Sequence, residues 1–451
     1  MAFDPVLADT RFGYGVAKGI EPPASVSAMI VDLQGEDIMK RRFQVEPFPD
    51  FFRRLGARSR LKKRMQGLAG AEAAEIKRRI KQINRSARED YRRWFGAHIL
   101  RRVNSATAFR ERLEGFWANH FTAMGKSVPI RYGAPPYIES AIRPNLTGSF
   151  RDLLVAAVTH PLMLHYLDQK RAVGTASRVG IETGRGLNEN LAREVLELHT
   201  LGTQGPYTQE DVRNLAELFT GLSSDPSKGQ IYRSDQAEPG PKHILGEDYH
   251  PSMEDVRRLL GVLASHPSTA RRICTKLARH FVSDVPPADL IEVMTQAFLS
   301  SDGALVQVYE AMLEHDAAWQ ETPRKMRSPF DFMASACRSL QVERESVTRM
   351  GYAEIEHVFL EPMKRMGQDW LRPKGPDGFP DISAAWATPH GMAARLDWAL
   401  TAPQGLRPDL PDPRGLPARD VDEAVQCALA AAETRAQAVA VFLLSPAFQR
   451  V

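Results

Sequence analysis

Cysteine is scarce in this chain. Cys274, Cys337 and Cys427 lie 63 and 90 residues apart, so no pair stands at the CxxC spacing of zinc ribbons, haem attachment sites or thiol redox motifs. A dense disulfide framework is excluded for the same reason. Long apolar runs are missing too. Nowhere do 18 apolar residues follow one another, and Met1-Ala-Phe-Asp-Pro-Val carries no basic stretch leading into an apolar one. Neither a membrane span nor a signal peptide is therefore expected. A cytoplasmic location follows from that reading, with export in complex with a signal-bearing partner as the alternative. No Walker loop, GxSxG elbow, HExxH or strand-borne GxGxxG occurs, which removes the motif-borne NTPases, serine hydrolases, zincins and Rossmann oxidoreductases. Runs of alternating β-branched residues are lacking as well, so a β fold has no support.

What remains is an ordinary globular composition, 43% hydrophobic and 25% charged, with an uneven distribution of charge. Between Arg53 and Arg93 fifteen Lys and Arg stand against four acidic residues, an excess of 11 that leaves the other residues at −7 within a formal total of +4. This reads as a basic arm on a mildly acidic body. Within the arm Ala69, Ala73, Ile76, Ile80, Ile83, Ala87, Tyr91, Trp94 and His98 recur at steps of three and four. That spacing predicts one long amphipathic helix with its cations on the opposite face. The same period predicts helices over 108–124, 149–167, 187–201, 252–265, 269–282, 288–300, 304–314, 329–340, 352–363 and 420–444. Thr208 with Asp211 reads as a capping box that opens a further helix reaching about Phe219. Residues 223–249 have no period and suggest a surface loop or a short hairpin. Pro403, Pro408, Pro411 and Pro413 suggest an extended connector. The expected fold is all-α, a multi-helix single body. Its expected parts are an N-terminal segment (1–50), the basic arm (51–105), a helical core (106–400), the connector (401–419) and a C-terminal helix (420–451).

The densest polar cluster runs from Gly186 to Gly202. At 100° per residue Glu194 and Glu197 share a face, Glu189, Arg193 and Glu197 form an i, i+4, i+8 ladder, and His199 lies about 200° round from Glu197. His199 joins both carboxylates only if the last turn unwinds toward Gly202. Carboxylates and an imidazole at a helix end suit metal binding or acid–base work. The competing reading is a polar network in which Arg193 neutralises the carboxylates and Asn188 caps the helix. Phe116-Trp117-Ala118-Asn119-His120-Phe121 is the second candidate, with His120 either a ligand or a core histidine bonded to a carbonyl. His160-Pro161 and His266-Pro267 precede helices, where proline presets the first turn. The basic arm, with aromatic Tyr91 and Trp94 at its end, suits a solvated face, an acidic partner, phosphates or an anionic membrane surface.

Several stretches together resemble the bacterial domain of unknown function family 1800: Phe109-Arg-Glu-Arg-Leu113, Phe116-Trp-Ala-Asn-His-Phe-Thr122, Glu139-Ser-Ala-Ile-Arg-Pro-Asn145, Asn188-Glu-Asn to His199-Thr-Leu-Gly202, Tyr207-Thr-Gln-Glu-Asp211, His266-Pro-Ser-Thr269 and Leu444-Ser-Pro-Ala-Phe448. They follow in order from about residue 95 to the C-terminus. The resemblance implies a helical fold and no established activity. It also implies a partner, an alkaline-phosphatase-like companion of unknown function (family 1501) that carries an export signal. Two positions depart from the family pattern. Ala237-Glu238 stand where members usually have His-Asp, and Gln169 stands where they have Asn.

Two classes of function follow. One is an accessory or assembly protein that binds a protein partner, its polar motifs holding helices in register. The other is a metal-dependent enzyme, most simply a hydrolase. In that case His120, Glu194, Glu197 and His199 would hold one divalent ion, with Glu194, Glu197 and His199 in catalytic roles and Asn119, Asn188, Glu189 and Arg193 behind them. Nucleic-acid binding through the basic helix is the third alternative.

Overall fold

The computed structural model describes residues 3–320, 325–416 and 422–451. Helix dominates, at 63%. The only strands among the described residues are four short ones inside the expected excursion, which forms two separate hairpins. Leu222–Asp225 (β1) pairs antiparallel with Gly229–Tyr232 (β2), and Lys242–Ile244 (β3) with Glu247–Tyr249 (β4). Both turns follow from local chemistry. Asp225 Oδ1 accepts from the Ser227 N–H at 2.8 Å, and Gly229 (φ 76°) takes the left-handed position that closes the first turn. The second turn, Leu245-Gly246, has positive φ at both residues and is tied down where the Leu245 N–H donates to Asp211 Oδ1 at 2.8 Å.

One contiguous apolar core extends from Leu7 to Phe448. Its axis is the helix Gly70–Asn104, 35 residues and about 52 Å long. The expected arm of 51–105 therefore divides. The outer half of this helix runs antiparallel to the helix Phe48–Met65, and Ile76 and Ile80 are buried on their shared side. Arg58 Nε donates to Asn84 Oδ1 at 2.8 Å, and every polar side-chain contact of residues 57–85 stays within this helical hairpin. The inner half is core. From Trp94 to Val103 every residue is buried, because the stretch is apolar around its whole circumference except where Arg101 and Arg102 find acidic partners. The N-terminal segment is likewise part of the body. Phe12 packs against Phe109, Phe281 and Trp319, and Arg11 donates to the carbonyls of Ala318 and Gln320.

Several boundaries differ from expectation. The run 149–167 breaks at His160-Pro161 into Phe150–Val158 and Pro161–Tyr166. There His160 Nδ1 accepts from the Leu162 N–H at 3.1 Å, and His266 Nδ1 caps the next helix from the Ser268 N–H in the same way. The helix Pro389–Leu406 continues through Pro403, so the extended part of the connector is confined to 407–412, a single 3-10 turn follows at Pro413–Gly415, and 417–419 lie outside the described residues. The C-terminal helix is two, Glu423–Ala431 and Arg435–Leu444, the second opened by a box between Thr434 and Gln437. Asp420 falls outside the described residues.

Candidate functional site: the motif helix and a charged cavity

The motif helix begins as α-helix at Asn190–Glu194 and widens into a π turn at Val195–His199. Thr200 Oγ1 donates to the Val195 carbonyl at 2.6 Å, and the Gly202 N–H, at φ 95°, donates to the Leu196 carbonyl. The last turn does depart from α geometry, but His199 ends fully buried against Phe121 and His120. Glu194 and Glu197 stay half-buried on the outer side. Arg193 joins Glu189 at 3.0 Å and Glu197 at 3.3 Å, and Asn188 Oδ1 accepts from the Asn190 N–H. Glu194 has no such partner, and burial, with Glu197 and Asp377 nearby, raises its pKa. The structure thus brings His120 and His199 together and keeps the carboxylates apart from them. Among the described residues no set of three His, Cys, Asp or Glu is grouped to hold a metal ion.

The two imidazoles have unusual surroundings. His120 Nε2 donates to the His199 carbonyl at 3.3 Å, while His120 Nδ1 and both ring nitrogens of His199 are buried with no partner. Burial, reinforced by the positive charges of Lys276 and Arg272, lowers the pKa of His199 to about 3 and holds His120 well below its ordinary value. Both rings are neutral at pH 7. The nearby charges of Lys276 and Arg272 also oppose a bound cation.

Asn119 has a distinct task. Its Nδ2 donates to the Phe379 carbonyl at 2.9 Å and its Oδ1 accepts from the Phe379 N–H at 2.7 Å, so one side chain clamps an irregular segment at both edges of a peptide. That segment walls a cavity of about 130 Å³ that sequence reasoning missed. Arg112 and Gly115 line it from the helix Ala108–His120, His280 from the end of Pro267–Phe281, and Arg327 and Asp331 from the start of Pro329–Ser339 and the residues before it. His280 Nδ1 lies 2.8 Å from Asp381 Oδ1, which fixes the ring, and burial of Asp381 is outweighed by His280, Lys276 and Lys325 so that its pKa is lowered. Arg112 lies in a stretch quoted above, but His280 and Asp381 are 101 residues apart with no local signal to join them.

Behind the cavity a dense ionic network ties the helices. Arg143 bonds Glu111 at 2.7 Å, Glu114 at 2.5 Å and Asp37 at 2.6 Å, and Arg101 bonds Glu139 at 2.9 Å. Glu111 of Phe109-Arg-Glu-Arg-Leu113 and Arg143 of Glu139-Ser-Ala-Ile-Arg143 are accordingly structural partners, which the sequence leaves unseen because they stand 32 residues apart.

Fold and site together define an all-α protein with a charge-rich cavity and a projecting basic hairpin. The model of the family described as "Protein of unknown function (DUF1800)" matches residues 10–450, and the chain belongs to that family. No curated protein and no solved structure matches it. No helix among the described residues is long and apolar enough to cross a membrane.

Proposed function

We propose that this family member is an accessory protein that docks a partner through an acidic protein surface, using the outer part of its helical hairpin. The observation that carries this reading is a set of unpaired charges. Arg60, Lys62, Lys63, Lys77, Arg79, Lys81 and Arg85 are exposed and make no ion pair among the described residues, while Lys77, Lys81 and Arg85 fall at i, i+4, i+8 along one stripe. A protein surface suits the stripe better than bases or lipid. Tyr91 and Trp94, the aromatics available for stacking on bases, are buried, and Leu68 is the one large apolar side chain exposed on the outer hairpin. The alkaline-phosphatase-like companion that the family resemblance implies is the partner to try first. Replacing Lys77, Lys81 and Arg85 together by Glu should abolish its co-purification, and wild-type capture should fall steeply between 50 and 500 mM salt. Capture unchanged by the triple replacement, or tighter retention on duplex DNA than on the acidic protein, overturns the reading.

A second reading, a metal-dependent hydrolase at His120, Glu194, Glu197 and His199, is favoured by the three unpartnered ring nitrogens. It requires the motif helix to turn its carboxylates inward on loading. Elemental analysis of untagged protein decides it. One equivalent of a divalent metal that His199→Ala removes supports the enzyme, and a metal-free wild type rejects it.

A further inference from the structure

Four basic side chains line the cavity, Arg102, Arg112, Lys325 and Arg327, against three side-chain carboxylates, Glu114, Asp331 and Asp381. Most of these charges are satisfied locally. Arg102 lies 3.3 Å from Glu114, Arg112 2.5 Å from Asp331, and Lys325 2.5 Å from Asp284, while His280 holds Asp381. Arg327 is the exception. Only 3% of it is exposed, and its guanidinium donates to two neutral groups, the Phe448 carbonyl from Nε and Ser335 Oγ from Nη1, both at 2.9 Å. Among the described residues its Nη2 donates to no protein atom and no carboxylate lies within ion-pair distance. Burial, with Arg112 close by, pushes its pKa down to about 9. Arg395 is also buried without a carboxylate, but its bonds to Gln449 and to the Arg327 carbonyl keep it behind this wall.

A buried guanidinium that lines a cavity and makes no close ion pair among the described residues asks for an anion. Size and charge narrow the choice. A space of 130 Å³ is on the order of ten water-sized positions, which suits an organic molecule rather than a halide. A phosphate dianion would set a second negative charge beside Asp331 and Asp381, whereas one carboxylate matches the planar fork of one arginine. Trp370 and Trp386 supply apolar wall. We propose that the cavity is a binding site for a small organic monocarboxylate, with its carboxylate paired to Arg327 and its apolar body against Trp370 and Trp386.

Benzoate, phenylacetate and hexanoate are the probes, each set against its neutral amide and against inorganic phosphate, in thermal-shift and calorimetric titrations of the full chain. At least one carboxylate should raise Tm saturably, while the amides and phosphate should not. Arg327→Gln should weaken that carboxylate at least about tenfold while circular dichroism stays that of the wild type. Should this variant fail to fold, tryptophan fluorescence of the wild type replaces it, changing with the carboxylate and not with its amide. Three results overturn the proposal: no response to any carboxylate, equal responses to acid and amide, or undiminished binding by a folded Arg327→Gln. A response to phosphate that matches the carboxylates also rejects it and makes the site a general anion pocket.

Discussion

The two ends of the helix Gly70–Asn104 carry the same kind of residue in opposite circumstances. At the outer end Lys77, Lys81 and Arg85 stand in water with no partner among the described residues, and their Coulomb interactions are screened within about 8 Å at physiological ionic strength. At the inner end Arg101 and Arg102 are almost wholly buried, and each makes several hydrogen bonds to Glu139, Glu114, Tyr14 or backbone carbonyls. The difference lies in what other elements bring to each end, and net charge along the sequence says nothing about it. Cations at the inner end hold the molecule together, and those at the outer end are free to meet another one.

That contrast is open to direct attack, most severely at the inner end. Arg143→Met takes from the buried Glu111 and Glu114 their closest cation and should cost about 3–5 kcal/mol in urea denaturation, if the variant folds at all. Acid should reach the same network. Burial opposes the ionised form of Glu114, yet Arg143, His98 and Arg102 outweigh it and hold its pKa well below 4.5. A carboxyl depressed in the folded state stabilises fully above its unfolded pKa and loses that contribution as pH falls through the folded one. Denaturation midpoints should therefore hold as pH falls toward about 5 and drop below it, with Arg143→Met flattening the profile. A smaller effect is expected at Asn119→Ala, about 1–2 kcal/mol for two hydrogen bonds to one half-buried peptide. Smallest is the outer end, where replacing Lys77, Lys81 and Arg85 by Glu should move stability by no more than about 0.5 kcal/mol. A loss of 2 kcal/mol or more there would mean that the hairpin packs on the body and would erase the contrast.

Much of the fold was legible because helices announce themselves through apolar spacing and caps. The box at Thr208 and Asp211 forms as read, and helices at 253–265 and 288–300 lie where the period puts them. The family resemblance was legible too, through motifs whose residues are contiguous. The arm was half legible. Its period continues without a break past Asp90, and nothing in the spacing says that the helix there becomes surrounded on all sides. The π turn escapes because one extra residue per turn leaves no mark on a five-residue stretch. Glu194, Glu197 and His199 were placed together by adjacency, but the helix carries His199 into the core and leaves the carboxylates outside. The cavity was invisible for the converse reason, since Arg112 and Asp331 meet across 219 residues. His160 and His266 act as helix caps through Nδ1, where the sequence reading saw a proline presetting the first turn.

The Asn119 clamp bears on how anything reaches the cavity. A wall built of helix would yield only with the body, at the full free energy of unfolding, whereas an irregular segment pinned by one amide opens at a small fraction of it. Gly378 shows how closely the two are fitted, for a Cβ there would lie 2.6 Å from the Asn119 carbonyl oxygen. The Phe379 amide should accordingly exchange its hydrogen orders of magnitude faster than those of 94–103, with a rate insensitive to mild denaturant. That rate would measure how often the cavity meets solvent, a quantity separate from the global stability of the protein.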